Sequence, residues 1–475
     1  MGRLAIDAIS ILSLAVPVFA ITIWIVYLFA LAIYRLYFSP IAKFPGPKLA
    51  AVSKWYELYY QVPCRGMFSA KISELHDKYG PIVRITPSEL HIRDSDYYDE
   101  LYGTPKQDRD PWFSPRSAPT GTNVSVLTTH SHDHWRVRRT VLNPFFSRRS
   151  VVGFQPLIRE KVELLCSQLA KYREGSESVN LIDAFATFSC DVITDYCFGF
   201  CNEQLRSPDF KDNLHTPFYA LTEFGQLVAH FPWLGPLVDS LPDSVNIALN
   251  PPLATLVRLK KRLVSTIKAI KNDAKSEKTS ASGHPTIFHE VLQSDLADSE
   301  KTERRLGEEA QLLIGAGLLT TSWCLTVGIF YLLSQPSALE KLRVELNKAL
   351  PTPDSELSWT ELEKLPYLSA VIRESLRISY GISTRSPRVV PYKDLHYGEW
   401  TIPAGTSISM TIVDVCHDEA IFPDSHSFRP ERWLGNPRAP NGAPLEKYQV
   451  NFQKGPRSCL GIKYVKNELV SVFML

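Results

Sequence analysis

Two stretches of the chain combine apolar positions with a complete lack of charged residues. The first runs from Ala8 to Tyr34 and the second from Ala310 to Leu339. About 20 apolar residues are enough to cross a bilayer, so each stretch is long enough on hydropathy alone. The second contains Gly315, Gly317 and three consecutive hydroxyl residues. The glycines would let a flat body press against the helix backbone, and a hydroxyl could bond into the helix ladder. We interpret it as a long buried helix of the core, with a second membrane span as the alternative.

The N-terminal pattern predicts a membrane anchor (residues 1–36), a proline-rich hinge (37–50) and one large domain (51–475). A cleaved signal peptide would have a shorter apolar region and a small-residue cleavage site. Arg35, Lys43 and Lys48 follow the apolar stretch, which places the large domain on the cytosolic side by the positive-inside rule.

Most of the remaining periodicity is helical. Helical spacing covers Ser69–Tyr79, Asp94–Tyr102, Phe154–Tyr172 and Leu181–Phe198. Strand-like alternation surrounds a Pro-Ser turn at residues 81–92 and recurs near Ser407–Met410. The expected fold is therefore mainly α with a minor antiparallel β part.

Composition narrows the functional classes. The 475 residues carry a net charge of +2, which offers no electrostatic footprint for nucleic acid. The eight cysteines are scattered without a CxxC pair, so a zinc ribbon or a disulfide framework is not expected, and a reducing compartment fits.

The strongest chemical signal is the stretch from Phe452 to Gly461. If a helix begins just after Cys459, backbone N–H groups point at the sulfur and favour a thiolate, which can be a nucleophile or a metal ligand. Gly455 permits a tight turn, Gly461 permits close approach of a flat body, and Arg457 offers a fork of donors for a carboxylate. This set suits haem, while a buried structural cysteine is the alternative.

The stretch resembles the haem-binding signature of the cytochrome P-450 family, the haem-thiolate monooxygenases. Phe452, Gly455, Arg457, Cys459 and Gly461 match its five fixed positions. The resemblance implies the fold of that family and haem iron held by the thiolate of Cys459.

Other positions match the family outside this signature. Trp135 and Arg139 match an aromatic residue four positions before an arginine that donates to a haem propionate. Arg388 is a further candidate propionate ligand. The three histidines at 130, 132 and 134 could form a metal site if they lay on a strand, but a helix is the better interpretation.

The central helix resembles the helix that covers the distal haem face. Ala316, Gly317, Thr320 and Thr321 match, and Thr320 is the predicted residue of oxygen activation. The family usually has an acid directly before this threonine, where this chain has Leu319. Without that acid, Thr320 and ordered water must carry the proton relay, or the enzyme does not perform ordinary oxygenation.

Glu374 and Arg377 lie at i, i+3 of a predicted helix and match the family's Glu-x-x-Arg. Alone, such a pair is usually an ion pair on the surface. With Arg432 it would form a buried network that holds the fold.

Segments 44–47, 79–85 and 142–147 look like the fungal trichodiene-oxygenase-like branch. That resemblance implies insertion of one oxygen atom from dioxygen into an apolar terpenoid or polyketide. It also implies electrons from NADPH through NADPH–cytochrome P-450 reductase, and a single-pass protein of the endoplasmic reticulum membrane.

Two alternatives remain open. The chain stops 16 residues after Cys459, whereas the family continues for some tens of residues; this predicts a short C-terminus and motivates a catalytically impaired haem-binding remnant. Leu319 motivates a reductase-independent haem-thiolate isomerase or dehydratase.

Overall fold

The computed structural model describes residues 2–103, 110–111, 122–173, 177–273, 286–352, 355 and 357–474. These residues divide into two compact units, one comprising residues 1–93 and 387–410 and the other residues 94–386 and 411–475.

The first unit contains the N-terminal helices and the β strands that follow them. Its helices are α1 (Gly2–Ile33), continued by a π-helical turn (Tyr34–Phe38), α2 (Lys48–Val52), α3 (Trp55–Gln61) and α4 (Phe68–Tyr79). Its strands are β1 (Ile82–Thr86), β2 (Glu89–Ile92), β3 (Arg388–Val389), β4 (Leu395–Tyr397), β5 (Trp400–Ile402) and β6 (Ser407–Ser409).

Within this unit four strands are hydrogen-bonded in the order β1-β2-β6-β3, and β4 and β5 form a separate hairpin. The pairs β1–β2, β3–β6 and β4–β5 are antiparallel, whereas β2 runs parallel to β6. The mainly helical fold with a small antiparallel β part is confirmed, with one parallel pairing that the alternation did not reveal.

The proline-rich segment after α1 packs onto this sheet. The backbone N–H of Arg84 in β1 donates to the Pro45 carbonyl at 2.7 Å. Phe44 is buried, with its ring centroid 4.9 Å from that of Trp400. A Cβ added at Gly46 would collide with the Arg84 carbonyl, so this position requires glycine. The proline-rich hinge is thus packed against the sheet.

The second unit contains most of the helices. They are α5 (His132–Leu142), α6 (Arg148–Gly153), α7 (Gln155–Ala170), α8 (Leu181–Phe198), α9 (His215–His230), α10 (Leu234–Ser240), α11 (Asp243–Leu249), α12 (Leu253–Asp273), α13 (Ile287–Gln293), α14 (Glu303–Ser334), α15 (Pro336–Ala349), α16 (Trp359–Leu362), α17 (Pro366–Ser379), α18 (Ile412–Cys416) and α19 (Ile462–Phe473). Short 3₁₀ or π turns lie at Asp99–Gly103, Gln204–Arg206, Pro208–Phe210, Asp298–Lys301, Pro430–Trp433 and Leu445–Tyr448, and a two-residue strand at Asp110–Pro111.

Helix α14 is the centre of this unit. It packs against α8, α12, α17 and α19. A Cβ at Gly328 would collide with the Phe473 ring of α19, so the two helices approach closely there. The uncharged stretch is therefore a core helix, but it begins seven residues before Ala310. It ends at Ser334 because Pro336 cannot continue a helix and instead opens α15.

Within the described residues two helices are long and apolar enough to cross a bilayer. One is Val16–Phe38, of which none is buried, and the other is α14, whose most apolar window is 56% buried. The burial of α14 confirms its interpretation as a core helix. The N-terminal helix is a candidate membrane anchor.

Most predicted elements fit closely and one does not. Helix α8 spans the predicted residues, and β1 and β2 flank the predicted turn. A capping box of Ser358 and Glu361 opens α16. The helix predicted over Asp94–Tyr102 was wrong in extent. Only the π-helical turn Asp99–Gly103 forms there, since Asp94 caps its own local turn by accepting from the N–H groups of Asp96 and Tyr97.

Candidate functional site

The loop before α19 holds Cys459 in a fixed position. The N–H of Cys459 donates to the Phe452 carbonyl at 2.8 Å, and that of Ser458 donates to the Gly455 carbonyl at 3.1 Å. Gly455 has φ +69°, and a Cβ there would collide with the Tyr102 carbonyl. The predicted need for glycine at 455 is thus explained by both conformation and space.

The environment of the sulfur is mixed. Burial raises the pKa of the Cys459 thiol, while the Gly461 N–H and the nearby Arg139 lower it without overcoming the burial. The polypeptide alone therefore favours a thiol, contrary to the expected thiolate. A metal cation at the sulfur would supply the missing positive charge, because a coordinating thiol is deprotonated outright.

Many protein atoms surround Cys459 and desolvate its sulfur, but part of its side chain remains exposed. All eight cysteines lie in the described ranges, and only Cys459 is exposed. Gly461 has φ −86° and so does not need glycine for its conformation. A Cβ there would lie 4.0 Å from Sγ. Glycine at 461 thus leaves the space beside the sulfur open.

Two arginines meet at one aromatic ring beside this loop. Trp135 of α5 is buried, with the guanidinium carbon of Arg457 4.5 Å and that of Arg139 5.9 Å from its ring centroid. Arg139 donates to Oδ1 of Asn143 at 2.9 Å and to the Ser458 carbonyl at 3.0 Å. Both acceptors are neutral, so they do not neutralise the positive charge of Arg139, which can still attract an anion.

Arg457 also holds the segment that precedes α5. Its guanidinium donates to the carbonyls of Thr129 and His130 at 2.9 and 3.1 Å. The same segment is fixed from α14, because the carboxylates of Glu308 and Glu309 accept the N–H groups of Val124 and Val126. Sequence reasoning missed both glutamates, since no local spacing links them to a loop some 180 residues away.

One stripe of α14 is open, although the helix is otherwise packed. Ala316 and Trp323 are exposed, and Thr320 between them is half-buried. The Thr320 hydroxyl donates to the Ala316 carbonyl at 2.8 Å, as predicted for a hydroxyl that enters the helix ladder. These predicted residues thus share one open face of the central helix.

The glycines of α14 do not have the predicted role. A Cβ at Gly315 would lie 2.7 Å from the Phe218 ring of α9, and one at Gly317 would lie 3.1 Å from Ile193 of α8. They allow close helix packing, and they are not the surface that a flat cofactor would contact.

Arg388 belongs to the first unit, on β3, where it is buried and donates to the Pro387 carbonyl at 3.1 Å. The structure brings together Trp135, Arg139, Arg457 and Cys459 in the second unit. Arg388 belongs to the other unit, and its role stays a prediction.

The three histidines at 130, 132 and 134 do not converge. His132 and His134 lie in the first turn of α5, where His134 Nε2 contacts Glu300 Oε1 at 2.8 Å and His132 packs against Trp135. Within the described ranges, no three His, Cys, Asp or Glu side chains lie close enough together to hold a metal ion. The helical interpretation of this segment is confirmed.

Glu374 is at the centre of a buried ionic network below the loop. Arg377 bonds both of its oxygens, and Arg432 Nε reaches Oε1 at 3.0 Å. Trp433 Nε1, which sequence reasoning missed, donates to Oε2 at 2.9 Å. The predicted three-residue network is present, and it is buried.

Comparisons with known proteins agree with this geometry. The Cytochrome P450 family model matches residues 45–474. The chain belongs to the cytochrome P-450 family. It is 47% identical over 458 residues to the Cytochrome P450 monooxygenase sdnE of Sordaria araneosa, covering 94% of this chain and 88% of that protein.

Two further cytochrome P-450 relatives are similar along most of their length. The Cytochrome P450 monooxygenase tpcC of Cochliobolus heterostrophus is 40% identical, with 98% of this chain and 89% of that protein covered. The Tryptophan 6-hydroxylase fscE of Fusarium equiseti is 38% identical, with 98% and 91% covered. The chain is an oxidoreductase of the monooxygenase type.

The residues of the second unit fit the cofactor of this cytochrome P-450 family, haem iron with a cysteine thiolate. An exposed cysteine lies next to two cationic side chains, and the central helix presents an open stripe of small and hydroxyl residues. The cysteine suits the iron, the two cationic side chains suit the carboxylates, and the open stripe suits the flat apolar body of the cofactor.

Proposed function

We propose that Cys459 would hold the haem iron through its thiolate in this chain. The observation that carries the proposal is that Cys459, alone among eight described cysteines, is exposed, while Arg139 lies close enough to affect its pKa. Trp135, Arg139 and Arg457 would hold the propionates, with Arg388 as a further candidate. Phe452, Gly455 and Gly461 shape the loop that holds the sulfur.

The bound haem would supply the oxidising chemistry, since a thiolate ligand favours cleavage of the O–O bond. The chain's own residues orient the substrate, exclude water and hold protons. Ala316 and Thr320 would line the side on which dioxygen reacts. Thr320 Oγ1, which already donates to a carbonyl of its own helix, can accept a hydrogen bond from water.

The proposed reaction inserts one oxygen atom of dioxygen into an apolar secondary metabolite, a terpenoid or a polyketide. Two electrons would come from NADPH through NADPH–cytochrome P-450 reductase. The apolar character of α14 supports this substrate class, because residues 310–334 carry no charge and Trp323 is exposed on the open stripe. The name of the Fusarium relative adds an indole amino acid as a comparison substrate.

The proposed location is the endoplasmic reticulum membrane, with the catalytic part in the cytosol. An uncovered apolar helix of 23 residues followed by Arg35, Lys43 and Lys48 supports this orientation.

The ligand assignment is tested with Cys459→Ser. The variant should remain folded but lose the spectral shift that a thiolate causes in the reduced carbonyl complex. Cys166→Ser, a half-buried cysteine of α7, is the matched control and should keep the shift. A Cys459→Ser protein that keeps the thiolate spectrum would overturn the assignment.

The reaction is tested by metabolite profiling of a host with and without the gene, in the presence of the reductase. An added oxygen atom in an apolar metabolite is expected, and it should depend on NADPH. If the protein converts a hydroperoxide substrate without NADPH, but oxygenates no metabolite when NADPH and the reductase are supplied, the isomerase or dehydratase is favoured instead.

A further inference from the structure

The segment from Thr122 to His130 contacts both α5 and α14, and it carries the two carbonyl groups that bond Arg457. These carbonyls belong to Thr129 and His130 and lie 2.9 and 3.1 Å from the guanidinium nitrogens. A guanidinium is a planar, rigid fork of donors, so two fixed acceptors determine how it is turned. Both carbonyls are neutral and leave the charge of Arg457 uncancelled. Whatever fixes this segment therefore also orients Arg457.

Thr129 is the residue through which a second arginine reaches this contact. Its side chain is buried, and its hydroxyl accepts a hydrogen bond from Arg138 Nη1 at 2.8 Å while donating to the Ser125 carbonyl at 2.8 Å. The same Nη1 donates to the Val124 carbonyl at 2.9 Å. Thr129 thus joins the two arginines, because its hydroxyl bonds Arg138 and its carbonyl bonds Arg457.

Arg138 is in turn held by Glu300, which precedes α14. Nε and Nη2 of Arg138 donate to the two carboxylate oxygens at 2.7 and 3.0 Å. A bidentate pair of this kind fixes the plane of the guanidinium as well as its position, and Nη1 is left directed at Thr129. Only 9% of the Arg138 side chain and 13% of the Glu300 side chain are exposed, so salt screens the pair little.

Glu300 is itself anchored to the central helix. Arg305 of α14 donates to Glu300 Oε2 at 3.3 Å and pairs with Glu309 at 2.5 Å, and His134 contacts Glu300 Oε1 at 2.8 Å. Burial opposes ionisation of Glu300, but the hydrogen bonds from Arg138 and His134 and the charges of Arg138 and Arg305 lower its pKa to about 2. The carboxylate is therefore an anion at neutral pH and has a fixed position.

The proposed function gives Glu300, Arg138 and Thr129 no role. Their hydrogen bonds nevertheless form one continuous series that ends at Arg457. A guanidinium bonds a carboxylate bidentately only when its fork of donors is turned toward it. A free arginine side chain loses rotamer freedom when it binds, whereas one that is already oriented does not incur that loss.

We propose that Glu300 is a positioning residue for the cofactor, which acts through Arg138 and Thr129 to hold Arg457 in the orientation that binds a propionate. This role rests on the proposed function, because that function assigns Arg457 to a propionate. The fixed position of the segment from Thr122 to His130 does not rest on it, so the two are tested separately.

The first readout needs no cofactor. Hydrogen–deuterium exchange of the full chain should show slow exchange at the Val126 amide, which donates to Glu309 at 3.0 Å. Glu300→Gln should speed exchange within residues 122–130 by at least about tenfold, because the anchor of Arg138 and Arg305 loses its charge. Glu303→Gln, an exposed acid that pairs with Lys268, is the matched control and should leave this exchange unchanged. Unchanged exchange in Glu300→Gln would overturn the proposal.

The second readout is the rate at which the loaded protein loses haem to an excess of apomyoglobin. Thr129→Val removes the hydroxyl that accepts from Arg138 but keeps the shape of the side chain and every charge. Thr129→Val and Glu300→Gln should each lose haem about tenfold faster than the wild type, as is typical when a group that orients a ligand is removed. The matched control is Thr128→Val, since the Thr128 hydroxyl is also buried and bonds carbonyls of its own segment. Its rate should stay within about twofold of the wild type.

A double variant separates positioning from a general loss of stability. Arg457→Lys keeps the charge but lacks the fork, so it should also lose haem faster. If Glu300 acts through Arg457, adding Glu300→Gln to Arg457→Lys should speed the loss by less than about twofold, whereas independent effects would multiply. Multiplied rates, or equal rates in Thr128→Val and Thr129→Val, would refute the positioning role.

Only preparations that show the thiolate carbonyl spectrum enter the haem comparison. Absence of that spectrum from the wild type would refute the proposed function and the role that rests on it, while the exchange result on the segment would stand. With the spectrum present, unchanged haem loss in both Glu300→Gln and Thr129→Val would refute the positioning role alone.

Discussion

Glu374 and Glu468 are both fully buried acids of the second unit, and their surroundings differ in one respect. Glu374 is bonded by two arginines, an indole N–H and the backbone N–H of Arg429. In the described part of the chain, Glu468 has one phenolic donor and no cation near it. The surroundings of Glu374 therefore stabilise its anion, whereas those of Glu468 stabilise only the neutral acid.

This difference separates an acid whose charge is fixed from one whose charge can change. An ion held by several fixed donors cannot change its charge without disrupting the fold, and the network at Glu374 therefore stabilises the segment below the Cys459 loop. Asn451 extends this support, since its Nδ2 donates to the Leu376 carbonyl of α17 at 2.7 Å. Within the described residues, Glu468 Oε2 has no hydrogen-bond partner, so Glu468 can change its protonation state with less disruption of the fold than Glu374 can.

Removal of the compensated acid should have the largest effect. Glu374→Ala leaves Arg377 and Arg432 buried beside each other with no counter-charge, which costs about 3–5 kcal/mol of unfolding free energy. Guanidinium denaturation followed by tryptophan fluorescence measures the loss.

The matched control for this variant is Glu446→Ala, an exposed partner of Arg373, which should change the free energy by less than about 0.5 kcal/mol. If both variants lie within 1 kcal/mol of the wild type, the network is not structural, and the contrast with Glu468 fails.

The sequence predicted the compensated network and missed the neutral acid for a physical reason. Glu374 and Arg377 are one helical turn apart, and spacing alone puts them on one face. Glu468 acquires its character from Thr321, 147 positions earlier, and from burial. No local pattern records contact between two helices that are distant in the chain.

The same limit explains the errors at the candidate site. The spacing from Phe452 to Gly461 predicted a loop that closes on itself, because those residues interact within ten positions. Gly315 and Gly317 were assigned to a cofactor surface, but only the packing of α8 and α9 shows which side of α14 each one faces. Contacts within one short segment were predictable from the sequence, and contacts between distant segments were not.

The second effect is the contribution of Glu468 to the pH dependence of the unfolding free energy. The pKa of Glu468 is about 8 in the folded chain, against 4.5 for an ordinary glutamate in the unfolded chain. Between these values the unfolded state binds fewer protons, so the free energy of unfolding falls as pH rises, by about 1.4 kcal/mol per pH unit.

The stabilisation from protonated Glu468 is complete below pH 4.5 and is lost as pH rises through about 8. Glu468→Gln should remove this slope, so the difference between wild type and variant is measured at pH 5.5, 6.5 and 7.5. Parallel curves over that range would show that Glu468 titrates normally and would remove the distinction between the two acids.

The smallest effects come from single neutral donors, and here the two sites should differ in sign. Trp433→Phe leaves Glu374 Oε2 with Arg377 as its donor and should cost roughly 1–3 kcal/mol, since a hydrogen bond to a charged group is lost. Thr321→Val removes a buried hydroxyl that has no hydrogen-bond partner within the described residues, so the unfolding free energy should be unchanged or slightly higher. The same denaturation experiment measures both. An equal loss in the two variants would mean that the Thr321 hydroxyl is hydrogen-bonded in the folded protein, and the predicted difference in sign would be wrong.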